Sequence, residues 1–178
     1  MDTFFRKIIG ILDQCNIPYM LSGSIAMGLY VVPRMTRDID FIIHLDPKNL
    51  DSFADSFKDG FYCDRDAIKE ALETSLKMFN IIDHASGYKA DFVVLKDEEF
   101  RQEEFNRRVQ IEYFGKKIYV VSPEDLLISK LIWIQDMQSA IQMEDIRNLA
   151  AIDTLDRGYL SKWISKLNLR TFDLLNDQ

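Results

Sequence analysis

The sequence predicts an α+β fold: a mixed β-sheet flanked by helices, followed by a C-terminal helical tail. Up to Val121, short strand-like apolar runs alternate with amphipathic helical patterns. From Ser122 onward, the apolar residues recur only at helical spacing. A chain of 178 residues with 47% hydrophobic residues is expected to build one core rather than two. We therefore predict one domain over residues 1–121 and a helical extension over residues 122–178 that packs on it.

The first part of the chain alternates helix and strand. The predicted elements are a helix over 4–12, a strand over 18–21, a helix that begins at Ser24, a strand over 38–45 and a helix around 50–57. The Asp46-Pro47 pair before the last helix is typical of a cap followed by proline in the first turn.

The second part supplies further strands and then only helices. The predicted elements are a short helix over 66–73, strands over 76–82 and 88–95 around a glycine-bearing loop, a hairpin of 109–114 and 117–121 around Gly115-Lys116, and helices from Ser122 to the end. Four residues in the helical patterns are interpreted as core, namely Trp133, Met137, Met143 and Trp163. The acidic residues at 97–99 and 103–104 are interpreted as a solvated helix face.

Charge and composition exclude several classes of protein. The net charge of −7 argues against a broad basic surface for nucleic acid, so any contact with RNA or DNA would be local. Charged residues interrupt the apolar pattern of the first 15 residues, and no later apolar run reaches membrane length. Cys15 and Cys63 stand apart, as reduced structural thiols do. We expect a cytoplasmic protein that does not bind membranes.

Gly23-Ser24 follows a predicted strand and opens a predicted helix. Unpaired N–H groups at a helix start, a residue without a side chain and a hydroxyl together form a small phosphate-binding site. The same two residues also occur as an ordinary helix cap, and the dipeptide alone does not separate the two interpretations.

Two aspartates begin the strand that follows. Asp38 and Asp40 are two residues apart, so their side chains point to the same face of the strand. Neighbouring carboxylates face water, share a proton or hold a cation, and carboxylate oxygens suit Mg²⁺. Asp91 interrupts a later, largely apolar strand that could lie beside them. Three acids next to a phosphate-binding turn are typical of metal-dependent phosphoryl or nucleotidyl transfer.

These residues resemble the signature of the nucleotidyltransferase superfamily, which includes DNA polymerase beta. The segment from Arg34 to Asp40, RMTRDID, and the later SPEDLLISKL, from Ser122 to Leu131, are similar to nucleotidyltransferase-type toxins of abortive-infection toxin-antitoxin systems. The interval from Ser24 to Asp38 is longer than in the compact antibiotic-modifying type. It argues against an aminoglycoside substrate and favours the toxin-like branch.

The resemblance implies a nucleotidyltransferase-like sheet, with the catalytic domain at 1–121, and a set of site residues. Asp38, Asp40 and Asp91 would be catalytic and would bind Mg²⁺ or Mn²⁺. The residues implied to bind the nucleoside triphosphate (NTP) are Gly23, Ser24, Arg37 and Lys130. Gly23 and Ser24 would hold the β and γ phosphates, and Lys130 would neutralise charge on the leaving group, although it also fits a solvated lysine. Arg34 and Arg37 would contact nucleotide or acceptor, or balance the nearby acids.

The implied reaction moves a nucleoside monophosphate (NMP) from an NTP to a hydroxyl of RNA or protein. A cognate antitoxin is the partner that the toxin-like branch implies. The alternative is a catalytically silent module of the same fold that binds a nucleotide or a partner protein. Intact acids favour the enzyme.

Overall fold

The computed structural model describes residues 1–74 and 77–175, which form one seven-stranded sheet and eight α-helices. The helices are α1 (Asp2–Gln14), α2 (Gly23–Met27), α3 (Leu50–Asp55), α4 (Arg65–Glu73), α5 (Glu99–Asn106), α6 (Pro123–Trp133), α7 (Ala140–Ala150) and α8 (Arg157–Lys166). The strands are β1 (Tyr19–Ser22), β2 (Asp38–Ile43), β3 (Phe61–Cys63), β4 (Met78–Asp83), β5 (Lys89–Val94), β6 (Val109–Tyr113) and β7 (Lys116–Val120). A 3-10 turn covers Pro47–Asn49.

The sheet is mixed, as the sequence predicts. Its strand order is β3-β4-β5-β2-β1-β7-β6. The β2–β5 and β1–β7 pairs are parallel, and the other neighbours are antiparallel. β2 and β5 therefore lie side by side near the centre and run in the same direction.

One face of the central strands is buried under an aromatic core. Along β2, Ile39, Phe41 and Ile43 are fully buried, whereas the alternate residues are partly exposed. Phe5 of α1 stacks on Phe41 at 6.3 Å, and Phe53 of α3 meets the Phe92 ring edge-on at 5.9 Å. Because α1 and α3 cover this face, Asp38 and Asp40 lie on the opposite face of the sheet.

Helix α6 is buried along most of its length, from Glu124 to Leu131. Its first turn is held by the Asp125 carboxylate, which accepts hydrogen bonds from Ser122 Oγ at 2.6 Å, Tyr159 Oη at 2.6 Å and Arg107 Nε at 3.1 Å. A fully buried carboxylate is tolerated when it is paired in this way. The network fastens α8 and the end of α5 to the start of α6. The domain boundary at 121–122 stays a prediction.

Most predicted elements are present, with several differences at their ends. The second helix begins at Gly23 rather than Ser24, and the hairpin turns at Phe114-Gly115, where both φ angles are positive. The predicted strand over 76–82 is seen from Met78, since Leu76 lies outside the described residues. The prediction of helix to the chain end is wrong beyond Lys166, because residues 167–175 form turns and irregular structure. The last three residues lie outside the described part. β3 was not predicted.

Burial corrects three interpretations of side chains. Trp163 is in the core as predicted, with 2% of its surface exposed, and Met143 packs partly against the core. Trp133 is 67% exposed and Met137 is 73% exposed, although Ile134 between them is fully buried. Glu104, predicted to be solvated, is fully buried in α5. Within the described part of the chain, every helix is too short or too polar to cross a membrane.

Candidate active site

Asp40 and Asp91 are partners in the register of the parallel β2–β5 pair. Adjacent strands lie about 4.8 Å apart, so these two carboxylates stand side by side. Asp38 lies two residues before Asp40 on the same face and is the register partner of Lys89. The strand pairing thus brings together the three acids that the sequence singled out.

Gly23 lies directly against the Asp40 carboxylate. A Cβ atom at position 23 would overlap that side chain, and the Gly23 φ of +62° is a conformation that favours glycine. Only glycine therefore fits at the first position of α2 while leaving Asp40 in place. The Ser24 backbone N–H lowers the pKa of the Asp40 carboxylate, against the larger effect of burial. The missing side chain at Gly23 was predicted to leave room for a phosphate. In the structure it also leaves room for the Asp40 carboxylate.

The electrostatics of Asp40 indicate excess negative charge. Burial raises the pKa of Asp40 above its ordinary value, and the charges of Asp91 and Asp38 raise it further. The Ser24 N–H and the Lys130 ammonium act in the opposite direction but do not reverse the shift. A cation near these carboxylates would relieve the repulsion between them.

Lys89 partly supplies that positive charge. Its Nζ lies 2.8 Å from Asp91 Oδ2 and 3.7 Å from Asp38 Oδ1, and the hydrogen bond to Asp91 raises the pKa of the lysine. Sequence analysis missed Lys89, although its position two residues before Asp91 on one strand was a usable signal.

The donor chemistry of the three aspartates fits a hard divalent cation such as Mg²⁺ or Mn²⁺. Among residues 1–74 and 77–175, no three acidic, histidine or cysteine groups are gathered closely enough to hold a metal ion as the side chains stand. The fit therefore rests on the carboxylate oxygens and on the charge repulsion at Asp40, and coordination would require the carboxylates to converge.

A second set of charges lies on the other side of the Gly23-Ser24 turn. Lys130 Nζ donates to Asp145 Oδ2 at 2.7 Å and to Gln142 Oε1 at 3.1 Å. The same Asp145 oxygen lies 3.4 Å from Arg34 Nη2, which donates to Ser24 Oγ at 2.5 Å. Asp145 thus ties two cations to the turn that is predicted to bind phosphate.

The predicted nucleotide-binding residues are only partly gathered. Gly23, Ser24 and Lys130 line one cleft together with the three aspartates. Arg37 is exposed and does not line this cleft in the described structure, whereas Arg34 does. Sequence analysis missed Asp145. Asp145 lies in a helical stretch after Lys130, and helical spacing alone does not show that these two residues pair.

The cleft has a volume of about 770 Å³ and continues beyond the acids. Its floor becomes apolar at Ile42 and Val93, which follow Asp40 and Asp91 on the same sheet face. Its walls come from α5 and α6 and from the segment after α6. They include Arg101, Glu104, Ser129, Trp133 and Met137, and the cleft is also lined by Lys77, Lys96 and Gln142.

Glu104 connects the two helical walls of the cleft. Its carboxylate accepts hydrogen bonds from Ser129 Oγ of α6 at 2.5 Å and from Arg101 Nη1 at 2.9 Å. Burial raises the pKa of Glu104, and the Arg101 charge offsets only part of that shift. These contacts hold α5 against α6.

Three solved structures share this fold over most of their length. The crystal structure of ANT(2″)-Ia in complex with adenylyl-2″-tobramycin matches with a TM-score of 0.63 and 15% identity, over 93% of this chain and 95% of that chain. The lincomycin-bound lincosamide antibiotic adenylyltransferase LnuA matches with a TM-score of 0.57 and 15% identity, over 85% and 98%. A protein from Thermotoga maritima matches with a TM-score of 0.53 and 17% identity, over 93% and 94%. At these identities the likeness concerns the fold.

The chain belongs to the family described as nucleotidyltransferase of unknown function (DUF6036), whose model matches residues 1–177. The superfamily predicted from the aspartates and the Gly-Ser turn is thereby confirmed, and the protein is a nucleotidyltransferase by family. No curated protein matches the sequence significantly.

Proposed function

We propose that the protein is a metal-dependent enzyme that transfers an NMP from an NTP to an acceptor hydroxyl. The observation that carries the proposal is the pairing of Asp40 with Asp91 directly against Gly23. The carboxylates and the phosphate-binding turn are thus in contact rather than merely near in sequence. A site for a triphosphate and its cation needs both.

Each residue has a role that its position supports. Asp38, Asp40 and Asp91 would hold Mg²⁺ or Mn²⁺, which when bound neutralises phosphate charge and favours ionisation of the acceptor hydroxyl. The backbone N–H groups at Gly23 and Ser24 would bind the β and γ phosphates. Asp91 would help to activate the acceptor hydroxyl, whose oxygen bonds to the α-phosphorus as the bond to pyrophosphate breaks.

Cations near the turn would stabilise the leaving pyrophosphate. Lys130 is buried and held by Asp145, so its ammonium is oriented before a nucleotide binds. Arg34 already contacts Ser24 Oγ. The sequence implied that both Arg34 and Arg37 contact nucleotide or acceptor. We assign a phosphate contact to Arg34, which lines the cleft, whereas Arg37 does not line it.

The acceptor is proposed to be RNA or protein, in a toxin-like role with a cognate antitoxin in the cytoplasm. The support is the resemblance of the RMTRDID and SPEDLLISKL segments to the toxin branch. Cys15 and Cys63 are free thiols, which is compatible with a reducing compartment. ANT(2″)-Ia and LnuA share the fold and act on antibiotics, so a small hydroxyl compound is the competing acceptor.

The first test measures nucleotide binding. Isothermal titration with a non-hydrolysable NTP, with and without Mg²⁺, compares the wild type with Asp40→Asn. Asp59→Asn is the matched control, since it makes the same change in an exposed turn outside the cleft. The proposal expects Mg²⁺-dependent binding that only Asp40→Asn weakens. Equal binding by all three proteins would contradict it. Mg²⁺-dependent binding in this titration, combined with no transfer from any hydrolysable NTP in a separate assay, would favour the silent module.

A further inference from the structure

Trp133 is the last residue of α6 and forms part of the cleft wall, with 67% of its surface exposed. The other tryptophan, Trp163, is 2% exposed in the core. A single exposed apolar side chain needs no explanation. Trp133 is different because it lies in the cleft that contains the acids and because Met137, 73% exposed, lines the same wall.

The position of Trp133 relative to Lys130 indicates which part of a bound nucleotide Trp133 would contact. Residues three apart in a helix share a face and are separated by about 4.5 Å along the axis. Lys130 is linked through Asp145 to Arg34 and so to the Ser24 hydroxyl. Trp133 therefore lies one turn of α6 beyond the cations at the phosphate-binding turn. In a nucleotide, the sugar and base follow the phosphates.

We propose that Trp133 is the stacking surface for the base of the NTP, and that this favours purine nucleotides. The inference rests on the proposed function, since it places the base by reference to the phosphates. An indole ring stacks on any base, and stacking grows with ring area, so a two-ring base gains most. The flexible Met137 thioether can close over the ring edge.

The test separates base binding from phosphate binding. Titration calorimetry with Mg²⁺ compares α,β-methylene ATP, α,β-methylene CTP and tripolyphosphate, for the wild type, Trp133→Ala and Trp133→Phe. Trp133→Ala is expected to weaken the ATP analogue about 10-fold, equivalent to 1.4 kcal/mol at 25 °C, and to leave tripolyphosphate unchanged. Trp133→Phe keeps a ring and loses less. The wild type is expected to prefer the ATP analogue over the CTP analogue.

Tryptophan fluorescence provides an independent measurement. The ATP analogue is expected to quench emission in Trp163→Phe, where Trp133 is the remaining indole, and not in Trp133→Phe. Trp163→Phe is a suitable control because, in the described structure, its Nε1 has no hydrogen-bond partner to lose.

Each outcome bears on a different claim. If Trp133→Ala binds the ATP analogue as well as the wild type does, or if the wild type prefers the CTP analogue, the inference is overturned while the proposed function stands. If the wild type binds neither the analogues nor tripolyphosphate, both fall.

Discussion

Asp40 of β2 and Asp91 of β5 are register partners on the sheet face that the aromatic core leaves open. The pairing is built by backbone hydrogen bonds between two central strands, so it does not depend on a mobile loop. Burial raises the pKa of Asp40, and the neighbouring charges of Asp91 and Asp38 raise it further. Several measurements follow from this arrangement.

Asp40→Asn is expected to stabilise the metal-free protein while it abolishes function. Removing the charge relieves repulsion from Asp38 and Asp91, so Tm should rise by roughly 2–4 °C near neutral pH. Transfer activity should fall by at least about 10²-fold. Thermal unfolding with and without Mg²⁺ provides the check. A variant that is less stable than the wild type without metal would argue against like-charge repulsion at this site.

Gly23→Ala is expected to disable the site through a clash with the Asp40 carboxylate. The matched control is Gly60→Ala, since Gly60 also has a positive φ but nothing in the described structure lies within 4 Å of its added Cβ. Both variants incur backbone strain of about 1–2 kcal/mol. Only Gly23→Ala should also lose Mg²⁺-dependent nucleotide binding. Urea unfolding and calorimetry measure the two effects, and equal losses of binding would show that strain alone is responsible.

Asp145→Ala is expected to destabilise the protein by about 3–5 kcal/mol because it leaves the buried Lys130 ammonium without its carboxylate partner. Adding Lys130→Met to that variant removes the unpaired charge and should restore most of the stability. Neither protein should regain activity. Urea unfolding of the two single variants and the double variant gives the coupling energy. Additive losses would mean that the pair is not coupled.

Glu104→Gln is expected to change how stability depends on pH. Burial raises the pKa of Glu104 above its ordinary 4.5, so the folded protein holds this proton more tightly than the unfolded chain does. The contribution of Glu104 to the stability of the wild type should therefore be fully present below pH 4.5. It should be lost, relative to the variant, as pH rises through the raised pKa. Tm values of both proteins from about pH 4 to about pH 8 test this. A difference in Tm that is constant across the range would contradict the raised pKa.

Local patterns in the sequence were enough to predict the fold class, the Gly-Ser turn and the three acids. Alternation along a strand places Asp38 and Asp40 on one face without any knowledge of neighbours. The partners of those residues were harder to predict. Asp145 meets Lys130 only because α7 packs beside α6, and Glu104 is buried only because Arg101 and Ser129 satisfy it.

Trp133 was misassigned for a related reason. Helical spacing shows which side chains share a face of α6, but it does not show where the covering elements stop. Ile134, the next residue, is fully buried, whereas the Trp133 ring is left exposed in the cleft.

The measurement that tests the central claim most directly is retention of label from NTPs carrying ³²P at the α or the γ position. Each of the four NTPs is incubated with Mg²⁺ and host RNA and protein, beside an Asp38→Asn/Asp40→Asn control and an added panel of small hydroxyl compounds. The account predicts that α-label is retained on an acceptor, that γ-label is released in pyrophosphate, and that the control retains neither. Nuclease or protease sensitivity then identifies the acceptor class. Retention of γ-label, or equal retention of α-label by the control, would contradict nucleotidyl transfer at these aspartates.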